Sequence, residues 1–166
     1  MDAYLDIETT GLSPYKDEIT VVGIVLAKGR KMEVTQLFEE ELTRQNLLLA
    51  LKKVSRIYTY NGERFDLPFV QQRIGVSLTE MVEHRDLMFE CWNKRLYGGF
   101  KEVERTLGIP GKRSGMSGLD AVRLWQQYKR FKDFQALEQL LDYNKEDVLN
   151  LEILRTKLLN YTPASR

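Results

Sequence analysis

A single cysteine, Cys91, and a single histidine, His84, are all the soft metal ligands that this chain of 166 residues offers. The lone cysteine excludes an internal disulfide and fits a reducing compartment. Together the two residues exclude a zinc site built on nitrogen and sulfur. An excess of charge of one sign is also missing, since 25 basic side chains stand against 24 acidic ones. No long-range field of that size recruits nucleic acid or an anionic membrane, so any nucleic-acid contact must be local. Apolar runs long enough to cross a membrane are absent. Residues 1 to 20 carry Asp2, Asp6, Glu8, Asp17 and Glu18 with no basic segment before an apolar one, which argues against a signal peptide. With 43% hydrophobic residues the chain can close one substantial core and is too short for two ordinary domains. Residues 1–166 are therefore expected to form one soluble, cytoplasmic domain, with no membrane partner.

Alternation and β-branched residues predict strands over 3–8 and 19–27, and a third over 32–38 that closes a hairpin across "KGRK" (28–31). Leu47, Leu48, Leu51 and Val54 lie at helical spacing and give a helix from about 43 to 54. "RIYTY" (56–60) reads as a fourth strand, "LPFVQQRIG" as a short helix with Pro68 in its first turn and Gly75 as its stop, and "HRDL" (84–87) as the end of a fifth strand. From residue 88 onward the pattern is mainly helical: 101–109, 118–131, and 134–161 as one long helix or two abutting ones. The segment 109–118 is the one loop rich in Gly, Ser and Pro and is a candidate mobile element. This order of elements suggests an α/β fold, a mixed sheet covered by helices.

The first strand holds two acids. Residues i and i+2 of a strand face one side, so Asp6 and Glu8 point together while Leu5 and Ile7 enter the core opposite. Two close carboxylates repel and do not both stay ionised without a partner. Either this face is the wet side of an edge strand, or it holds a hard divalent cation such as Mg²⁺ or Mn²⁺, which takes oxygen ligands. Thr9, Thr10 and Gly11 follow directly, with hydroxyls, backbone N–H groups and a flexible glycine suited to a phosphate or sugar edge. Asp66 lies where a strand ends and a helix begins, a position that also suits an N-cap. Tyr143 and Asp147, at i and i+4, share a helix face bordering the apolar stripe Val148, Leu151, Leu154 and Leu158, as ordinary boundary residues also would. Trp92 and Trp125 read as core or core-edge residues. His84 reads as an ordinary strand-end residue and Cys91 as buried.

Asp6-Ile7-Glu8-Thr9-Thr10-Gly11, then Asn61-x-x-x-Phe65-Asp66, then Tyr143-x-x-x-Asp147 resemble, in order and spacing, the three motifs of the DEDD superfamily of 3′-to-5′ exonucleases. The tyrosine resembles that of the DEDDy subgroup; the histidine subgroup would carry His at 142, where this chain has Asp142. The wording "YNGERFDLPF", "HRDL" and "LDYNKEDVLNLEIL" is most similar to the bacterial YprB-like branch of ribonuclease H-like exonucleases, relatives of the proofreading domains of family B polymerases. The resemblance runs from about residue 4 to 158 and implies a ribonuclease H-like fold with a five-stranded mixed sheet. It implies that Asp6 and Glu8 hold a pair of divalent ions, with Asp6 bridging both, that Asp147 binds the ion that activates water, and that Asp66 supports the second. Tyr143, a phenol of pKa about 10, is a poor base at neutral pH and is expected to orient the nucleophile. Thr9, Thr10 and Gly11 would lie along the terminal nucleotide, Leu12 would wedge against a base, and Asn61 and Phe65 would contact sugar or base. The implied activity is metal-dependent release of nucleoside monophosphates from the 3′ end of single-stranded DNA or RNA. A noncatalytic binding module and an endonuclease or junction-cutting enzyme on the same fold are the alternatives. "KGRK", Lys112 with Arg113, and "YKRFK" (128–132) are candidate backbone contacts or plain solvated surface. Since the chain opens at the catalytic strand with no accessory binding domain, protein partners are expected to supply affinity.

Overall fold

The computed structural model describes residues 1–29, 31–111 and 115–163. Five strands, β1 (Asp2–Thr9), β2 (Ile19–Lys28), β3 (Lys31–Phe38), β4 (Arg56–Thr59) and β5 (Glu83–Asp86), form one sheet in the order β3-β2-β1-β4-β5. β1, β2 and β3 pair antiparallel, whereas β4 joins β1 in parallel and β5 joins β4 in parallel. The helices are α1 (Arg44–Ala50), α2 (Asp66–Ile74), α3 (Leu78–Met81), α4 (Leu87–Asn93), α5 (Phe100–Leu107), α6 (Gly118–Phe131) and α7 (Phe134–Asn160). The mixed sheet with flanking helices is the ribonuclease H-like α/β fold. No described helix is long and apolar enough to cross a membrane.

β1 is the middle strand, not the wet edge that two acids could have implied. Its Leu5 and Ile7 are buried with Val22 and Ile24 of β2 against Leu47 of α1 and Phe69 and Val70 of α2. Its other face, beginning at Tyr4, packs with Val25 and Tyr58 against Leu151, Leu154 and Leu158 of α7. α7 is one continuous helix of 27 residues, which at 1.5 Å per residue spans about 40 Å and packs across β1, β2 and β3. Asp133 starts it by accepting from the Gln135 and Ala136 amides at 3.0 and 3.2 Å, satisfying donors that a helix start leaves orphaned.

Several boundaries differ from expectation for local reasons. Thr43 caps α1, but the helix ends at Ala50 and residues 51–54 turn toward β4. The helix expected over 101–109 runs from 100 to 107, because Gly108 takes the left-handed conformation at φ +62° that closes a helix. Gly75 ends α2 in the same way at φ +73°. Trp92 is 36% exposed, so it is not a core residue, whereas Trp125 is half-buried and Cys91 fully buried. His84 lies within β5 and shares a 2.9 Å hydrogen bond with Thr59. Lys112 and Arg113, like Arg30 of "KGRK", lie outside the described residues.

Candidate active site

The parallel ladder between β1 and β4 stops at the pair Tyr4 and Tyr58. Beyond it the edge of β1 is open, and the Asp66 carboxylate fills the gap by accepting from the Ile7 amide at 3.1 Å. Asp66 is therefore not the side-chain cap of α2. Phe65 holds that position without a capping bond, and the Asp66 carboxyl turns back to the sheet. On the other face of β1, Asp6 and Glu8 lie under α7, where Asp147 meets them. One oxygen from each of these three carboxylates falls within 4.8 Å of the others. Asp66 stands outside this trio yet near enough for its charge to act on Asp6. Open α/β sheets characteristically place their sites at the carboxyl ends of parallel strands, and this cluster stands there.

Glu8, Asp66 and Asp147 are buried, and burial opposes ionisation of all four acids. Asp6 is pushed well above the ordinary carboxylate range by desolvation and then by the charges of Glu8, Asp66 and Asp147. Glu8 is raised by burial and by Asp147. Asp147 is raised by burial, and the Lys101 ammonium beside it offsets part of that shift. Burial also raises the Tyr143 phenol, which donates a hydrogen bond to Asp147. Lys101 of α5 bonds to the Asp147 Oδ1 and reaches Glu104 Oε2 at 3.2 Å. Burial alone would lower its pKa, but these two carboxylates outweigh burial and raise it. Thus the protein supplies its own cation to the cluster. An all-oxygen donor set on one face, short of positive charge and already holding an ammonium, fits a hard divalent ion such as Mg²⁺ or Mn²⁺.

A half-open cavity of about 430 Å³ leads onto these acids. Thr9, Thr10, Gly11 and Leu12 form one wall, where a bulge after Glu8 breaks the register with β2. The Thr9 hydroxyl donates to the Gly11 carbonyl at 2.6 Å and the Thr10 hydroxyl accepts from the Glu18 amide at 3.0 Å. Leu12 projects into solvent at 85% exposure. Phe65 lines the cavity, as do Tyr143 and Asp147, but Asn61 does not. Asn61 sits in a left-handed turn at φ +60°, and its amide donates to the buried Asp86 carboxylate at 2.8 Å. The remaining wall comes from α6: Gly118, Leu119 and Val122. The basic run 128–132 lies at the far end of α6, where Tyr128 and Lys129 bond to Glu39 at 2.9 and 3.1 Å.

Lys101, Asn144, Leu119 and Val122 escaped the reading of the sequence. Lys101 and Glu104 have the spacing of a solvated helix pair, and only α5 docking beside α7 makes them part of the cluster. Leu119 and Val122 fit an ordinary amphipathic stripe.

The model of the RNase H superfamily matches residues 3–159. The chain belongs to the RNase H superfamily. This RNase H domain superposes on a family B DNA polymerase of the archaeon Pyrobaculum calidifontis with TM-score 0.72 and 18% identity, over 95% of this chain and 24% of that one. It superposes on Brucella melitensis NrnC with bound Mg²⁺ with TM-score 0.63 and 22% identity, over 96% and 72% of the two chains. NrnC bound to pGG gives 0.60 and 21%, with the same coverage. At such identities the likeness is one of fold. No curated protein matches the chain.

Proposed function

We propose that this RNase H domain is a metal-dependent 3′-to-5′ exonuclease of the DEDDy type, acting on single-stranded DNA or RNA and releasing nucleoside monophosphates. The observation that carries the reading is the convergence of Asp6, Glu8 and Asp147 within 4.8 Å, with Tyr143 bonded to Asp147 and Asp66 beside Asp6. Asp6, Glu8, Asp147 and Asp66 would hold a pair of Mg²⁺ or Mn²⁺ ions. Bound ions of this kind supply an activated water and charge stabilisation at the leaving 3′ oxygen. Tyr143 keeps its proton at neutral pH, since its pKa lies above that of a free phenol, so it orients by donating a hydrogen bond rather than by abstracting a proton. Leu12 and Leu119, exposed on opposite walls, offer apolar contact to an unstacked base, and the half-open cavity suits a strand end. Structures of NrnC with Mg²⁺ and with pGG, on the same fold, are consistent with this substrate class.

The test is release of mononucleotides from a 3′-labelled single strand in Mg²⁺ or Mn²⁺. Asp6→Asn and Asp147→Asn should abolish release, and a circular single strand should survive. Cutting of the circle would favour an endonuclease, and failure of the wild type to act with either metal would favour a binding module.

A further inference from the structure

A glycine stands in the middle of β2 where the flanking residues are β-branched, and a row of pairings explains it. Gly23 pairs with Asp6 of β1 on one side and with Gln36 of β3 on the other, so all three residues face the same side of the sheet. The missing side chain leaves a notch, and the fully buried Asn144 of α7 occupies it. A Cβ on Gly23 would lie 2.2 Å from Asn144 Oδ1, so no other residue fits unless Asn144 moves. Asn144 Nδ2 donates to Asp6 Oδ2 at 3.1 Å and to the Asp6 carbonyl at 3.3 Å. The same side chain also bonds to Glu8. Gln36 Nε2 donates to Asn144 Oδ1 at 3.0 Å and to the Leu141 carbonyl at 2.8 Å.

The chemistry of this row is directional. An asparagine amide has one accepting and one donating end, and nothing in its shape distinguishes them. Gln36 presents a donor to one end, so the N–H end must face the Asp6 carboxylate. If the amide were reversed, its oxygen would oppose Asp6 and its N–H₂ would oppose the Gln36 donor. Asp6 sits among acids whose charges push against it, and donation from Asn144 limits rotation of its carboxyl. A partner of this kind, behind a metal ligand, fixes its orientation.

We propose that Asn144, oriented by Gln36 across the Gly23 notch, is a positioning residue that sets the Asp6 carboxylate for divalent-cation binding. This rests on the reading of Asp6 as a metal ligand. A purely structural amide, which only ties α7 to the sheet, would affect melting and leave metal affinity unchanged.

The test is calorimetric titration of Mg²⁺ and Mn²⁺ into the full chain, with melting followed in parallel. Asn144→Leu should weaken metal binding by roughly 10- to 100-fold, the usual cost of losing such an outer partner. Gln36→Leu is half-exposed, does not touch Asp6, and should weaken binding in the same direction but less; it serves if Asn144→Leu does not fold. Gly23→Ala should act like Asn144→Leu, because it displaces the amide. In nuclease assays kcat should fall while KM for an oligonucleotide holds, and excess Mn²⁺ should restore the rate of Gln36→Leu. Unchanged metal affinity in folded Gln36→Leu and Gly23→Ala, with the wild type binding normally, overturns this inference alone. Failure of the wild type to bind any divalent ion overturns the reading of the site and this inference with it.

Discussion

Lys101→Met removes the ammonium that Asp147 and Glu104 share and keeps most of the side-chain volume. The methionine stem can still pack against the rings of Phe100 and Tyr143, whose centroids lie 5.5 and 5.3 Å from the ammonium, so the change isolates charge. The pair is well enclosed: Lys101 is 23% exposed, Asp147 8% and Glu104 6%. Removing one partner of a buried pair costs about 3–5 kcal/mol. The lower end, about 3 kcal/mol, applies because Asp147, already raised by burial, can take up a proton once the ammonium is gone. For a chain of this size 1 kcal/mol moves Tm by about 2–4 °C, so in chelator the variant should melt roughly 6–12 °C below wild type. A divalent ion supplies the missing positive charge. Saturating Mg²⁺ should therefore raise the Tm of the variant more than that of wild type, closing most of the gap. Scanning calorimetry of both proteins with chelator and with Mg²⁺ reads the difference directly. Equal Tm in chelator, or equal gains from Mg²⁺, would refute the reasoning that Lys101 is a resident counter-ion of the acid cluster.

Asp66→Asn keeps an oxygen for the Ile7 amide and should melt near wild type while losing nuclease activity; Asp66→Ala orphans that buried donor and should cost about 1–3 kcal/mol as well, as urea unfolding would show. Asp6, Glu8, Asp66 and Asp147 are all raised from model values of 3.8 or 4.5, so above that range the native state binds more protons than the unfolded chain. The stability they contribute is complete below the unfolded values and falls as pH rises; metal-free Tm should be higher at about pH 5 than at about pH 8, and Mg²⁺ should raise it more at the higher pH. A metal-free Tm that is flat or rising between those points contradicts this. Leu12→Ala and Leu119→Ala each remove an exposed leucine from a cavity wall, and about 1 kcal/mol of lost contact should raise KM for a single strand roughly fivefold with kcat nearly unchanged.

What could be read from the sequence was whatever depends on local pattern. Alternation marked the strands, and the spacing of Tyr143 and Asp147 placed both on one face of α7, at the border of its apolar stripe. The pairing of Asp6 with Glu8 on one strand face also held. Less was legible where the contact joins distant segments. Asp66 in "FDLP" suits a helix cap, and only the early end of the β1–β4 ladder sends its carboxyl to Ile7, 59 residues away. Nothing in the sequence around Gly23 explains a glycine inside β2, since its reason, Asn144, lies on the last helix. Trp92 follows apolar residues at helical spacing, yet α4 is short and turns it toward the surface, where Arg64 stacks 5.8 Å from its ring.

The most direct measurement of the central claim is a time course on a 5′-labelled single strand with Mg²⁺, resolved to single nucleotides. The account predicts a ladder that shortens one nucleotide at a time from the 3′ end, depends on divalent metal, and disappears with Asp147→Asn. A strand left intact in both Mg²⁺ and Mn²⁺, or a ladder unchanged by Asp147→Asn, would contradict it.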